Sequence, residues 1–529
     1  LRGRGMSAVA LGRRHPWAVA LVAAGLLVAV LHLAALGTAP PGLYSDEASI
    51  GYNAWAVAHS GIDEHGAHLP LYFQAFGEYK NPVYVYLLAP FTWFLPLTST
   101  LERLPAALCS LGVVAAAGAT AWRLTRSRPV LLATVLTAGF CPWLAVEGRV
   151  GFEVPSMVLS LALALLCLAH LLRDGGVRWA LGAGVALGAS VYGYSTGRLL
   201  VALVAGLLLW VLLPRRRHVE TAAVMLPIAA AYVLLAAWSH AHPGALTGRF
   251  TALSITADGP STLVTLERFV RNYVTYLGAP FLATHGDANP RHNTGFGGML
   301  LIASLPAILL GVVHCLRRHR DPFSRALLGG LVLAPVPASL TAEGTPHALR
   351  ACAMLPFLLV LAALGWAVLL PALLDRRVRV AAMVALAAAA AEVGAFEHAL
   401  FVDWPGRALT AFDTGEADAI RRAHDLAGGH RVLLSTSLDQ PYIQALFVLR
   451  PDPRDYVRRG LDTVGMRVDA PESMAADSGS GDLLVLGVED APPPGAQQLF
   501  IEQVTVASPV VTVAGPDSNV VPLVTVFRR

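Results

Sequence analysis

Long apolar runs recur along most of this chain, divided by short arginine-bearing turns, and no other feature limits its fold as strongly. A run of about 20 apolar residues matches the roughly 30 Å hydrocarbon core of a bilayer. Backbone inside that core has no water to bond, so runs rich in Leu, Val and Ala must be helices. Composition agrees: 55% of the 529 residues are hydrophobic and 14% are charged, where a soluble domain carries about a quarter. The expectation is an α-helical polytopic membrane protein.

Arginine placement sets the expected topology more than the mild net charge of +4. Arg2 to Arg14 resembles the charged end of a signal peptide, but the run from Pro16 to Gly37 is longer than a signal core and reads as a retained first span. With Arg13 and Arg14 inside, residues 38–100 form a first outer loop. Within it, Pro82 to Pro96 is apolar but short and interrupted by Pro90, and reads as interfacial or re-entrant. Were it to cross, Arg123, Arg126 and Arg128 would fall outside, against the positive-inside rule. The remaining runs, from Arg103 to Trp122 through Val380 to Ala395, bring the total to about 11 transmembrane helices. A second long outer loop covers residues 239–294.

Residues 1–395 are thus expected to form the membrane module. From Phe396 onward, Asp, Gly, Pro and Ser rise, and short β-branched runs appear at Arg431 to Ser437 and Asp482 to Val488. Residues 396–529 read as a small α/β extracytoplasmic domain. The five cysteines fall within or at the ends of apolar runs at no metal-ligand spacing, so neither a disulfide framework nor a thiolate metal site is expected.

The stretch YSDEASIGYNAWAVAHSG, Tyr44 to Gly61, places two adjacent carboxylates, Asp46 and Glu47, just beyond the first span. One reading is helix capping: Ser45 caps and the acids occupy the first turn, where the helix dipole favours them. Ile50, Ala54 and Val57 would then face the membrane, and Tyr52, Trp55, Tyr84 and Tyr86 would form an interfacial belt. The other reading is catalytic. GEYKNP carries Lys80, EGRVGFE carries Glu147, Arg149 and Glu153, and YGYSTGRL, NPRHN and GTPHALR carry Arg198, Arg291, His292, His347 and Arg350, all predicted at the same outer face. Charge there is disfavoured by topology and so points to function. A carboxylate that takes the proton of an acceptor hydroxyl, with cations around a departing phosphate, is the equipment of sugar transfer from a lipid phosphate. Neither a Gly-rich nucleotide cradle nor a dinucleotide fingerprint is visible.

The first span followed by YSDEASIGYNAWAV, LPLYFQAFGEYKNPVYVYLLAPF and ERLPAAL, with EGRVGFEVP, YGYSTGRL, NPRHN, PVPASLT and PHALRA after them, resembles the GT-C superfamily of membrane glycosyltransferases. The nearest branch is the bacterial protein O-mannosyltransferase-like and aminoarabinose-transferase-like group. The resemblance implies a polyprenyl-phosphate-linked sugar donor, an acceptor glycan, lipid or protein, inversion at the sugar, and a site on the outer face of the inner or plasma membrane. It makes Asp46 the catalytic base with Glu47 beside it, Glu153 the acid of the second outer loop, and Lys80 a phosphate contact. Arg149, Arg198 and Arg350 are the further phosphate-binding candidates. Some relatives use a divalent metal, for which His292 is the candidate ligand, though no HxxxH-type spacing accompanies it. Asn81 follows Lys80 where many relatives double a proline, and Glu153 stands where other branches use Asp.

Two other classes use parts of the same pattern. A transporter or flippase of lipid-linked saccharides would share the phosphate-binding cations, but should show charges within spans or an inverted repeat, and neither is visible. A membrane-anchored assembly protein would work through residues 396–529 alone. Membrane lipids are expected partners under every reading; nucleic acid is not.

Overall fold

The computed structural model describes residues 16–505 and 520–529; the basic stretch Arg2 to Arg14 lies outside them. Helices dominate the first four hundred residues. They are α1 (Pro16–Leu33), α2 (Ser45–Ser60), α3 (Pro82–Leu88), α4 (Ser99–Thr125), α5 (Arg128–Gly139), α6 (Pro142–Glu147), α7 (Val154–Asp174), α8 (Val177–Gly193), α9 (Ser195–Leu212) and α10 (His218–Ala241). Next come α11 (Gly248–Leu253), α12 (Thr262–Leu277), α13 (Leu305–Arg317), α14 (Pro322–Leu333), α15 (Leu355–Leu373) and α16 (Arg379–His398).

Among the described residues, seven helical segments are long and apolar enough to cross a membrane, which makes this a multi-pass membrane protein. Their number falls short of the expected eleven. The apolar run Pro129 to Val146 breaks at Phe140 and Cys141 into α5 and α6, because Pro142 has no N–H to continue the ladder. At 1.5 Å per residue, the 12 residues of α5 span only about 18 Å. Similarly, Gly297 to Leu301 stays outside α13, leaving another short apolar helix. Pro82 to Pro96 does not form one long helix: α3 gives way to a 3-10 turn at Ala89–Trp93, and Trp93 and Phe94 are exposed.

The main core joins α4, α7, α8, α9 and α15 through side chains such as Val113, Leu161, Leu187, Leu200 and Leu358. The last membrane segment runs through Arg376–Arg407, past the composition change at Phe396. Beyond it lie α17 (Glu416–Leu426), β3 (Val432–Ser435), α18 (Pro441–Leu449), β4 (Met466–Asp469), β5 (Leu483–Gly487), β6 (Gln497–Thr505) and β7 (Val520–Arg528). The five-stranded sheet has order β4-β3-β5-β7-β6, with β3 parallel to β4 and β5 and with β7 antiparallel to β5 and β6. The two β-branched runs of the sequence are two of its three inner strands, β3 and β5. Asp439 and Gln440 form a bend that leads into α18.

The helix α2 differs most from its sequence reading. Its Ile50, Ala54 and Val57 pack on Tyr84, Val85, Leu88 and Leu101, not on lipid. Its Ala48, Tyr52 and Ala56 pack on Ile420, Ile443 and Leu446 of the C-terminal segment. Tyr52 and Tyr84 are therefore buried, their hydroxyls donating to the carbonyls of Pro451 and Glu102 at 3.2 and 2.7 Å, and are not belt aromatics.

Candidate active site

The first turn of α2 separates its two acids. Consecutive helical residues point about 100° apart, so Asp46 and Glu47 enter different surroundings. Glu47 is fully buried. It receives Nε and an Nη of Arg103 at 2.7 and 2.8 Å, and the N–H groups of Gly151 and Tyr44 at 2.9 and 3.1 Å. The bond from Tyr44 is the return half of a capping box. The helix cap is Tyr44, and Ser45 is already the first helical residue. Arg103 is saturated by the carbonyls of Leu36, Pro40 and Gly42. Gly151 is needed here, because a Cβ would lie 1.7 Å from a Glu102 oxygen.

Asp46 faces a cavity of about 420 Å³, within the size range of small-ligand pockets. Opposite it stands a hairpin of β1 (Phe73–Ala75) and β2 (Glu78–Lys80), turned by Phe76 and Gly77, both at positive φ. The two-residue strand period brings Glu78 and Lys80 to one face. Lys80 Nζ lies 2.7 Å from Asp46 Oδ1 and 2.7 Å from Glu78 Oε1. Burial opposes the ammonium, but the carboxylates of Asp46, Glu153 and Glu78 outweigh it and hold Lys80 above the ordinary lysine range. Arg249, on α11, pairs with Glu78.

Glu153 sits where α7 begins and accepts from the backbone N–H of Asn81 at 2.8 Å and its side-chain amide at 3.3 Å. Burial pushes this carboxyl up, against the pull of Lys80. The Asn81 Oδ1 accepts from Arg198 at 2.8 Å, and the Arg198 guanidinium lies 5.2 Å over the Tyr72 ring with its Nε unpartnered. Arg350 reaches the cavity but is held by Thr341 Oγ1 at 3.1 Å and the Glu343 carbonyl at 2.8 Å. Arg291 covers the Tyr44 ring at 4.0 Å.

Five cations, Lys80, Arg198, Arg249, Arg291 and Arg350, thus line this cavity against three carboxylates, Asp46, Glu78 and Glu153. Its field shows in His347, pushed down to about 2 by burial first and then by His292, Arg350, Arg291 and Arg249. The structure brings together Asp46, Lys80, Glu153, Arg198, Arg350 and His292 as the sequence suggested. It does not bring Glu47 or Arg149. Arg149 binds the carbonyls of Leu31, Ala34 and Ala39 at 2.5, 2.8 and 3.1 Å and lies 4.5 Å over the Phe401 ring, tying the end of α1 to the last membrane segment.

His292 meets a single carboxylate, Glu147, at 3.2 Å, and no three His, Cys, Asp or Glu side chains group as a ligand set among the described residues. His292 does not by itself make a divalent-ion site. Glu78, Arg249 and Tyr194 are cavity residues that sequence reasoning missed. The first was readable, two positions before Lys80 in a short strand. The second lies in the stretch 239–294, which forms α11 and α12 with Ala245, Arg249 and Phe250 at the cavity.

No protein-family model and no curated protein matches the chain. Among solved structures, it is similar to ArnT from Cupriavidus metallidurans bound to undecaprenyl phosphate, with a TM-score of 0.57 at 13% identity over 97% of this chain and 98% of that one. The apo state of the same protein gives 0.56 at 14% identity over the same shares. The oligosaccharyltransferase of Archaeoglobus fulgidus gives 0.48 at 12%, covering 90% of this chain and 70% of that one. The likeness to ArnT extends over nearly the whole of both chains, and this multi-pass membrane protein has the GT-C glycosyltransferase fold.

Proposed function

We propose that the protein is a membrane glycosyltransferase that moves a sugar from a polyprenyl-phosphate donor to an acceptor hydroxyl at the outer membrane face, with Asp46 as base. The observation that carries this reading is the Asp46–Lys80 pair at 2.7 Å inside a cavity whose cations outnumber its carboxylates. One ArnT structure holds undecaprenyl phosphate, and the cationic lining here suits the same kind of headgroup. Leu246, Phe250 and Leu253 offer an apolar border for a polyprenyl tail.

In the reaction, the acceptor oxygen attacks the anomeric carbon while its proton passes to Asp46. The bond from that carbon to the phosphate oxygen breaks, and the electron pair leaves with the phosphate, which gains one negative charge. Lys80, Arg198 and Arg249 stabilise that growing charge. Lys80 is suited to this because the surrounding carboxylates keep it protonated. Glu153 acts through Asn81, which also orients Arg198. Attack from the face opposite the phosphate inverts the sugar.

The test is transfer by the purified protein from polyprenyl-phosphate sugars, comparing the parent with Asp46→Asn. A positioned base contributes about 10²- to 10⁴-fold. Equal turnover in the two proteins would remove Asp46 from the role of base.

A further inference from the structure

The entry into α2 is gripped by residues nearly four hundred positions away. Asp413 Oδ2 accepts the backbone N–H of Ser45 at 3.0 Å, and Gln444 Nε2 donates to the carbonyl of Leu43 at 2.7 Å. Asp439 Oδ2 accepts from Ser45 Oγ at 2.9 Å. Asp413 and Gln440 both sit in the left-handed region, at φ 45° and 52°, so the backbone is bent at the two turns that present these side chains. Farther along α2, Phe447 fills the space beside Gly51, where a Cβ would stand 2.5 Å from its ring.

These contacts bracket the residue next to Asp46. Glu47 ties α2 to α4 through Arg103, while Asp413 and Gln444 tie Ser45 and Leu43, just upstream of Asp46, to the C-terminal segment. A base must be held within about 0.5 Å of its productive geometry. Gln444 is fully buried, which suits a positioning contact and not a solvated one.

We infer that Asp413 and Gln444 are positioning residues for Asp46, so that the C-terminal segment is a structural part of the catalytic site and not a separable appendage. The inference rests on the proposed role of Asp46. It assigns the segment from Asp413 to Phe447 a task in the chemical step, carried through the first turn of α2.

The test uses the full chain with a polyprenyl-phosphate sugar donor and, in parallel, amide hydrogen exchange in α2. Asp413→Ala and Gln444→Ala should each lower kcat by about five- to tenfold, the scale of one net hydrogen bond, with KM for the donor within about twofold. Asp413→Asn, which keeps an acceptor, should recover most of the loss. In an Asp46→Asn background neither substitution should cost more, because the group they position is already gone. Amides of Glu47, Ala48 and Ser49 should lose protection by a similar factor in the alanine variants. Unaltered protection overturns the inference, as does a kcat loss of equal size in the Asp46→Asn background. A parent inactive with every such donor, but whose α2 protection still falls, retains the grip on α2 and instead removes the donor assignment.

Discussion

Asp46 and Glu47 are neighbours in sequence with the same charge, and the structure gives them opposite occupations. Glu47 is fully buried, with four donors on its two oxygens. The Asp46 side chain is 27% exposed and has one cation, which it shares with Glu78. A saturated carboxylate has no lone pair left for a proton or a substrate, whereas one in a cavity with a single partner does. The comparison teaches that chemistry here is marked by incomplete satisfaction, not by the charge itself.

The sharpest way to break this contrast is to neutralise each acid. Asp46→Asn should reduce transfer by about 10²- to 10⁴-fold while leaving thermal unfolding in detergent near that of the parent. Glu47→Ala should do the reverse in kind. Removing one partner of a buried pair strands Arg103 and costs about 3–5 kcal/mol of stability, so the protein should unfold earlier and lose expression. If Glu47→Ala were stable and merely slow, the division between the two acids would be wrong.

A smaller effect is expected where Glu47 meets the loop carrying Glu153. Gly151→Ala forces a methyl into the Glu102 carboxyl and should cost about 1–3 kcal/mol of stability, measured by the same unfolding curves. On the cavity side, Arg249→Gln releases Glu78 to compete for Lys80. Turnover should fall about tenfold, as expected for one charged contact to a departing phosphate, with unfolding unchanged. Retention of full turnover would exclude Arg249 from phosphate stabilisation.

The smallest effect is in pH. Burial, then Asp439, pushes Asp413 up to about 8, against the Ser45 N–H and Arg291, with Glu47 adding to the rise. Burial, then Asp413, pushes Glu416 up to about 9, with the Asp439 backbone N–H opposing and its carboxylate adding. Both folded values lie above the unfolded carboxylate value near 4, so the folded protein binds these protons more tightly. The stabilisation is complete below the unfolded value and is lost as pH rises towards the folded one. Amide protection in the first turn of α2 should therefore fall between pH 6 and pH 9; a rise over that window would contradict this origin.

Much of the membrane module was legible because its signal is local. Twenty apolar residues must be a helix wherever they fold, and arginines at their ends mark turns. Asp46, Lys80 and Glu153, picked out as charges beside apolar runs, line one cavity. The β3 and β5 strands were legible as β-branched runs between turn signals. Span number was less so, because Pro142 and the Gly297 to Leu301 stretch break runs whose composition alone would cross.

The sequence by itself determined that this chain enters a membrane as helices and carries carboxylates and cations just beyond the first span, since hydropathy and charge act residue by residue. Only the tertiary structure decided which acid faces the cavity, that Arg149 ties backbone together, that Glu78 and Arg249 join Lys80, and that α2 is wedged between α4 and the C-terminal segment. Those outcomes depend on which partners the fold brings to each charge across gaps of tens to hundreds of residues. Burial rewards complete pairing at Glu47, while its neighbour Asp46, at the cavity, keeps only the partner it shares with Glu78.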